Sequence, residues 1–157
     1  MEKVGEVSVA QHTIETSILI EAPPARVWQV LTDFRAFPTW NSFIRAISGP
    51  LQEGARLSIE ITPPGRAAMR FRPTVLVVKP DQELRWRGSL LIPGLFSGEH
   101  SFRLRPEEGD RTQFIHAETF SGLLVGPFAS RGMLDPTRQG FHAMNIALKE
   151  RAENQTA

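Results

Sequence analysis

The sequence predicts an α+β domain in which a run of antiparallel strands is closed by one long C-terminal helix. Three observations predict it. Strand-length segments follow one another from residue 44 to 121, with turn residues between them and no helix among them. Residues 126–152 then carry an amphipathic pattern, with Leu134, Thr137, Phe141, Met144 and Leu148 recurring at steps of three and four. Upstream, one alternating segment, residues 12–21, runs straight into two short helical pieces.

The chain has 157 residues, which is one domain by size and enough to bury well over half of its extended surface without a disulfide or a metal. It has no cysteine, which excludes disulfides, thiol nucleophiles and thiolate metal sites. The opening MEKVGEVSVAQHT lacks an apolar run of signal-peptide length, and no stretch is long enough to span a bilayer, so the expectation is a cytoplasmic protein without integral membrane association. A net charge of +1 is no nucleic-acid footprint. Arginines nonetheless come in pairs around an apolar residue, at Arg70-Phe71-Arg72, Arg85-Trp86-Arg87 and Arg103-Leu104-Arg105. On a strand both arginines face away from the central residue. The simple reading is a solvated outer sheet face; the sharper one is a basic platform for anionic lipid or nucleic acid. Because the aromatic rings point the other way, no stacking surface forms beside the charges, and no nucleic-acid partner is expected.

In order, residues 1–11 lack pattern and read as a loose arm. Residues 12–21 alternate and end at Ala22-Pro23-Pro24, where Pro24 suits the first turn of a helix. Val27, Val30, Leu31 and Phe34 continue that helix, and Pro38 confines residues 35–43 to a second short piece holding Phe37, Trp40 and Asn41. Six strands follow, at 44–48, 55–62, 69–79, 83–92, 97–105 and 111–121, which with the first makes seven; Pro73 marks a bulge or an edge in the fourth. A three-residue loop at 107–109 would set Phe102 opposite Phe114 and His100 opposite His116. His100, Phe102, Leu104, Phe114, His116, Glu118 and Phe120 then share one face, apolar except for two histidines and a glutamate. In the last segment Asp135-Pro136 is either a new helix start or a kink; continuity of the stripe favours one kinked helix over 126–152, with residues 153–157 as a tail.

This order of elements resembles the START/Bet v 1-like (SRPBCC) superfamily, and within it the small bacterial polyketide cyclase/dehydrase-like, ligand-binding members. The segments that carry the resemblance are SILIEAPPARVWQVLTDFRAFPTWN, PDQELRW, HAETFSGLL and TRQGFHAMNIALKERAE. It implies a helix-grip fold over residues 12–152: a seven-stranded antiparallel sheet curled around the long C-terminal helix, two short helices after the first strand, and a cavity between sheet and helix. It brings no fixed catalytic motif.

The site candidates follow from that face. Ionisable groups on an apolar surface need mutual hydrogen bonds or a wet cavity, so His100, His116 and Glu118 are either a polar spot in a ligand pocket or a satisfied cluster fixing the strands. Asn145, near the centre of the helical stripe, is poor core filler and suits a cavity wall. Arg138, on the stripe edge, either faces the same cavity or snorkels outward. Trp40 and Asn41 lie on the segment the resemblance sets against the cavity. Phe71, Trp86, Phe102 and Phe141 are core residues that in a hollow fold double as wall. Residues 91–96, Leu-Ile-Pro-Gly-Leu-Phe, form an unusually apolar loop, in which exposed Leu95 and Phe96 would act as a gate hinged at Gly94 and Gly98, or else as a dimer or membrane contact. No nucleophile elbow, phosphate loop, zinc-helix motif or dinucleotide fingerprint occurs, so no metal or cofactor is expected. Three functions remain open: binding of a small hydrophobic molecule, a polyketide cyclase or dehydratase using His116 or Glu118 as acid or base, and an interaction module with a filled core. Monomer and homodimer are equally compatible with the sequence.

Overall fold

A computed structural model describes residues 10–90 and 94–154. Strand β1 (Gln11–Ile20) alternates as expected, burying Ile14, Thr16 and Ile20. Pro24 opens helix α1 (Pro24–Thr32), which buries Val27, Val30 and Leu31. A 3-10 turn (Phe34–Ala36) and the short helix α2 (Phe37–Trp40) follow.

The remaining strands are β2 (Ile44–Ser48), β3 (Ser58–Ile61), β4 (Met69–Phe71), β5 (Thr74–Lys79), β6 (Glu83–Leu90), β7 (Phe96–Glu107) and β8 (Arg111–Ser121). They form two antiparallel sheets, five strands in the order β1-β8-β7-β6-β5 and three in the order β2-β3-β4, rather than the single seven-stranded sheet expected. Pro73 is the cause. It has no N–H to give a ladder and divides the expected fourth strand into β4 and β5, one in each sheet. The seam is tied by residues 54–57: Leu57 donates its N–H to the Pro73 carbonyl (2.9 Å), and Val75 donates to Ala55 (2.8 Å).

The β7–β8 register also differs from expectation. Glu107 pairs with Arg111, and the turn is Glu108-Gly109-Asp110, with Gly109 and Asp110 both at positive φ (78° and 53°). The ladder therefore sets Phe102 opposite His116, His100 opposite Glu118 and Leu104 opposite Phe114. The slip is two residues, and side chains alternate with period two, so the inward face is unchanged.

The C-terminal region is two helices, α3 (Val125–Ser130) and α4 (Asp135–Asn154), not one kinked helix. Gly132 adopts φ 67°. Its N–H bonds to the Ala129 carbonyl and that of Met133 to the Phe128 carbonyl, both at 3.1 Å, the paired hydrogen bonds of a glycine-terminated helix end. Pro136 then occupies the first turn of α4. Helix α4 lies on the inner face of the large sheet through buried Phe141, Met144, Asn145 and Leu148. Gly140 is required for that approach: a Cβ there would stand 2.2 Å from the Phe43 ring.

Candidate functional site

Two regions of the interior differ in filling. Below the middle of α4, Ile14, Ile20, Leu31, Leu84, Phe102, Phe114, Met144 and Leu148 close a dry core. Towards the start of α4 the two sheets diverge around a cavity of about 570 Å³, within the range of small-molecule sites. Its wall takes Phe43, Ile59, Ile61, Pro63 and Phe71 from the small-sheet side. Trp86, Phe96, Gly98, His100, Glu118 and Phe120 come from the large sheet, Phe128 and Thr137 from the two C-terminal helices, and Leu134 from the turn between them. Arg66, Ala67, Met69 and Met133 also line it and are exposed, which places them at its mouth.

The polar wall group is a chain of side chains that starts in the cavity and ends in the core. Glu118 lines the cavity, and its Oε2 stands 3.2 Å from His100 Nδ1, the two side chains being 16% and 2% exposed. His100 Nε2 meets His116 Nε2 at 2.6 Å. His116 Nδ1 meets Asn145 Oδ1 at 2.8 Å, and Asn145 Nδ2 donates to Thr16 Oγ1 at 2.8 Å. The Thr16 hydroxyl donates to the His116 carbonyl at 3.3 Å. Four elements thus supply one chain: β1, β7, β8 and α4. Phe141 stacks on the His116 ring at 3.9 Å and 10°, and Trp86 lies 5.2 Å from the His100 ring. Burial, reinforced by the neighbouring His100, pushes His116 well below the usual imidazole range, against the opposing effect of its hydrogen bond to the Asn145 amide oxygen. Gly98 completes the arrangement. A Cβ at that position would come within 2.3 Å of Glu118 Oε1, so the carboxylate occupies a notch that only glycine leaves open.

Of the residues singled out in the sequence, Phe71, Trp86, Phe96, His100 and Glu118 line the cavity. Phe102, His116, Phe141 and Asn145 are buried behind that wall, so Asn145 is bonded within the chain rather than exposed to the cavity. Asn41 does not reach the cavity either: its Oδ1 accepts the N–H groups of Phe43 and Ile44, at 3.0 and 2.8 Å, and caps the turn into β2. Trp40 packs against the core with its ring 5.0 Å from Phe37, away from the wall. The indole Nε1 of Trp40 and the Nδ2 of Asn41 are buried without a hydrogen-bond partner. Arg138 is exposed, as the outward reading had it, because it sits on the stripe edge. The gate expectation changes most. Phe96 is the first residue of β7, 8% exposed, with its ring 5.4 Å from both Phe120 and Phe128; Leu95 is half-buried. Gly98 lies inside the β7 ladder opposite Gly88 and Phe120 and is no loop hinge. Residues 91–93 of the proposed gate fall outside the described residues.

The wall residues that the sequence did not single out are chiefly Phe43, Ile59, Ile61 and Met69. The alternation Leu57, Ile59, Ile61 was a usable signal for one inward face. What hid the others was the division into two sheets, which moves residues 57–71 from the end of one sheet to the opposite wall of a cavity. On the outer face Arg85 is partnered by Glu83 and, at 3.2 Å, by Glu99, and Arg103 by Glu15 at 3.3 Å. This is the solvated-face reading. Among the described residues, no cluster of three or more His, Asp or Glu converges to hold a metal ion, and no helix is long and apolar enough to cross a membrane.

Comparison with known proteins bears out the fold. Residues 11–153 match the family described as polyketide cyclase / dehydrase and lipid transport, and the chain belongs to that family. Structurally it is similar to the ZhuI aromatase/cyclase from Streptomyces sp. R1128, with a TM-score of 0.71 and 16% identity over 92% of this chain and 94% of that one. It is also similar to a START superfamily protein from Mycobacterium smegmatis (TM-score 0.71, 18% identity, 92% and 99% covered). Truncated norcoclaurine synthase from Thalictrum flavum is a third (TM-score 0.72, 13% identity, 98% and 100% covered). A search of curated proteins found no match. The START/Bet v 1-like superfamily assignment stands on these findings; at such identities the neighbours speak for the fold alone.

Proposed function

We propose that the protein binds a small, largely hydrophobic molecule in the cavity between its two sheets and α4. The observation that carries this reading is a hollow of about 570 Å³ whose wall is aromatic and aliphatic, apart from the Glu118–His100 pair and a few hydroxyl and mouth residues. Apolar walls supply affinity through burial, and a few placed polar groups orient the ligand. The family's description, which includes lipid transport, supports the same reading. A filled-core interaction module is disfavoured by the hollow itself. The working unit on this reading is the single domain 12–152, acting in the cytoplasm.

A second reading, a cyclase or dehydratase, is favoured by one specific observation: a carboxyl group faces the cavity with an imidazole 3.2 Å behind it, an arrangement suited to general acid or base work. The acid or base would then be Glu118, because His116 stands behind His100 and does not line the cavity. An aromatase/cyclase among the structural neighbours supports it.

Native mass spectrometry of the protein purified from its own host tests the binding reading. A co-purifying small molecule that is released on unfolding is expected; a bare polypeptide mass at saturating lipid and polyketide extract would sink it. Glu118→Gln separates the two readings: a binder loses affinity, an enzyme loses turnover while retaining bound substrate.

A further inference from the structure

The hydrogen-bond chain behind Glu118 allows its protons to be counted. The Thr16 hydroxyl has one proton, and it points to the His116 carbonyl. Thr16 Oγ1 must therefore accept from Asn145, which fixes Nδ2 of the amide towards Thr16 and Oδ1 towards His116. An amide oxygen only accepts. From there the chain has three gaps: Asn145 Oδ1 to His116 Nδ1 at 2.8 Å, His116 Nε2 to His100 Nε2 at 2.6 Å, and His100 Nδ1 to Glu118 Oε2 at 3.2 Å. Each gap joins two atoms that repel unless one proton lies between them. Three gaps need three protons, and two neutral imidazoles supply only two. One further proton therefore resides in the chain and offsets the charge of Glu118. His116 is fully buried and stands one ring away from the carboxylate, whereas His100 touches Glu118, so the extra proton belongs at the cavity end. Among the described residues Arg66, at the mouth, is the other charged residue lining the cavity. On the elements packed around the chain, His142 of α4 is exposed, and Glu15, Arg85 and Arg103 pair on the outer sheet face.

We propose that Glu118 and His100 share one proton and present it to the cavity, so that the site selects hydrophobic ligands bearing a carbonyl-type acceptor oxygen, with Thr16 and Asn145 as the positioning residues that keep the proton there. This deepens the cavity-binding reading and rests on it. If the amide were turned over, Nδ2 would supply the missing proton, every hydrogen in the chain would reverse, and Glu118 would be a bare carboxylate that repels such a ligand. That reversal would also turn the Thr16 proton from the His116 carbonyl to the amide oxygen, so the hydroxyl's bond to that carbonyl opposes it.

Nitrogen-15 NMR of the histidine side chains reads the count directly. His116 is expected to carry its proton on Nδ1 and none on Nε2, with His100 protonated on Nε2; a proton on His116 Nε2 with Nδ1 bare overturns the proposal whether or not any ligand binds. In parallel, 2-acetylnaphthalene and 2-ethylnaphthalene are titrated against wild type, Thr16→Val and Thr16→Ser. The ketone is expected to bind wild type and Thr16→Ser about tenfold more tightly than the hydrocarbon, the size of one charge-assisted hydrogen bond. In Thr16→Val the preference falls to roughly twofold or less. Equal binding of both probes to wild type overturns the proton-sharing site and leaves the cavity reading intact, whereas failure of both probes to bind removes the cavity reading itself.

Discussion

Strands β7 and β8 pass through two interiors of opposite character. At one end Phe102, Leu104 and Phe114 lie in a filled core under α1 and α4; at the other, Phe96, Gly98, Glu118 and Phe120 face a hollow. His100 and His116 stand at the boundary, one on the cavity wall and one behind it. The same pleated pair thus supplies both a rigid base and a site. The difference lies in what covers it: α4 presses its Phe141, Met144 and Leu148 onto the first end, while the small sheet stands off from the second. Rigidity at one end is what lets the other remain open, because a cavity wall left to relax would collapse into the space.

Variants at the solid end should cost stability, and variants at the hollow end should cost recognition. The largest effect is expected from Phe141→Ala, which removes a fully buried ring stacked on His116 and set edge-on to Phe43. Urea unfolding should show a loss of about 3–5 kcal/mol. Gly140→Ala, which drives a methyl group into the Phe43 ring, should cost about 1–3 kcal/mol in the same assay. Acid should act next, through His116. Its pKa is depressed in the folded state, so below the unfolded value of about 6.5 the unfolded chain binds a proton that the folded one refuses. Stability contributed by this group is present above that pH and is lost as pH falls, with a slope of at most about 1.4 kcal/mol per pH unit. Unfolding followed from pH 7 to 5 checks it, and His116→Gln should flatten this limb. The smallest stability change, within about 1 kcal/mol, is expected for Gly98→Ala, because the atom its methyl meets is the movable end of Glu118. Its effect should fall instead on ligand preference, by swinging the carboxylate away from His100. A large stability loss in Gly98→Ala with unchanged ligand preference would erase the contrast between the two ends.

How much of this was legible in the sequence follows the same division. The inward face of β7 and β8 could be read because alternation survives a slip of two residues, so a misplaced turn still left His100, His116 and Glu118 together. The stripe of α4 was legible for the same reason, since period alone sets its face. Pro73 announced an interruption without saying that it separates two sheets; that depends on residues 54–57 bridging the seam, a contact between distant segments. Gly132 ended α3 through a turn whose hydrogen bonds depend on the glycine's left-handed φ, while the apolar phase from Leu134 to Phe141 suggested continuity. The order of the polar chain was not legible at all. Which imidazole faces the cavity depends on strand pairing and side-chain tilt, and Arg138 and Asn145, two turns apart on α4, part company because one lies on the stripe edge and the other near its centre.

The central claim is that the hollow end is a binding site. Calorimetric titration of 2-acetylnaphthalene into wild type and into Ile61→Phe, whose added ring would occupy the cavity, tests it most directly. The account predicts saturable binding to wild type with a negative heat-capacity change, as apolar burial requires, and loss of binding in a variant that unfolds at a similar temperature. Binding of equal strength to both proteins, or to neither, would contradict it.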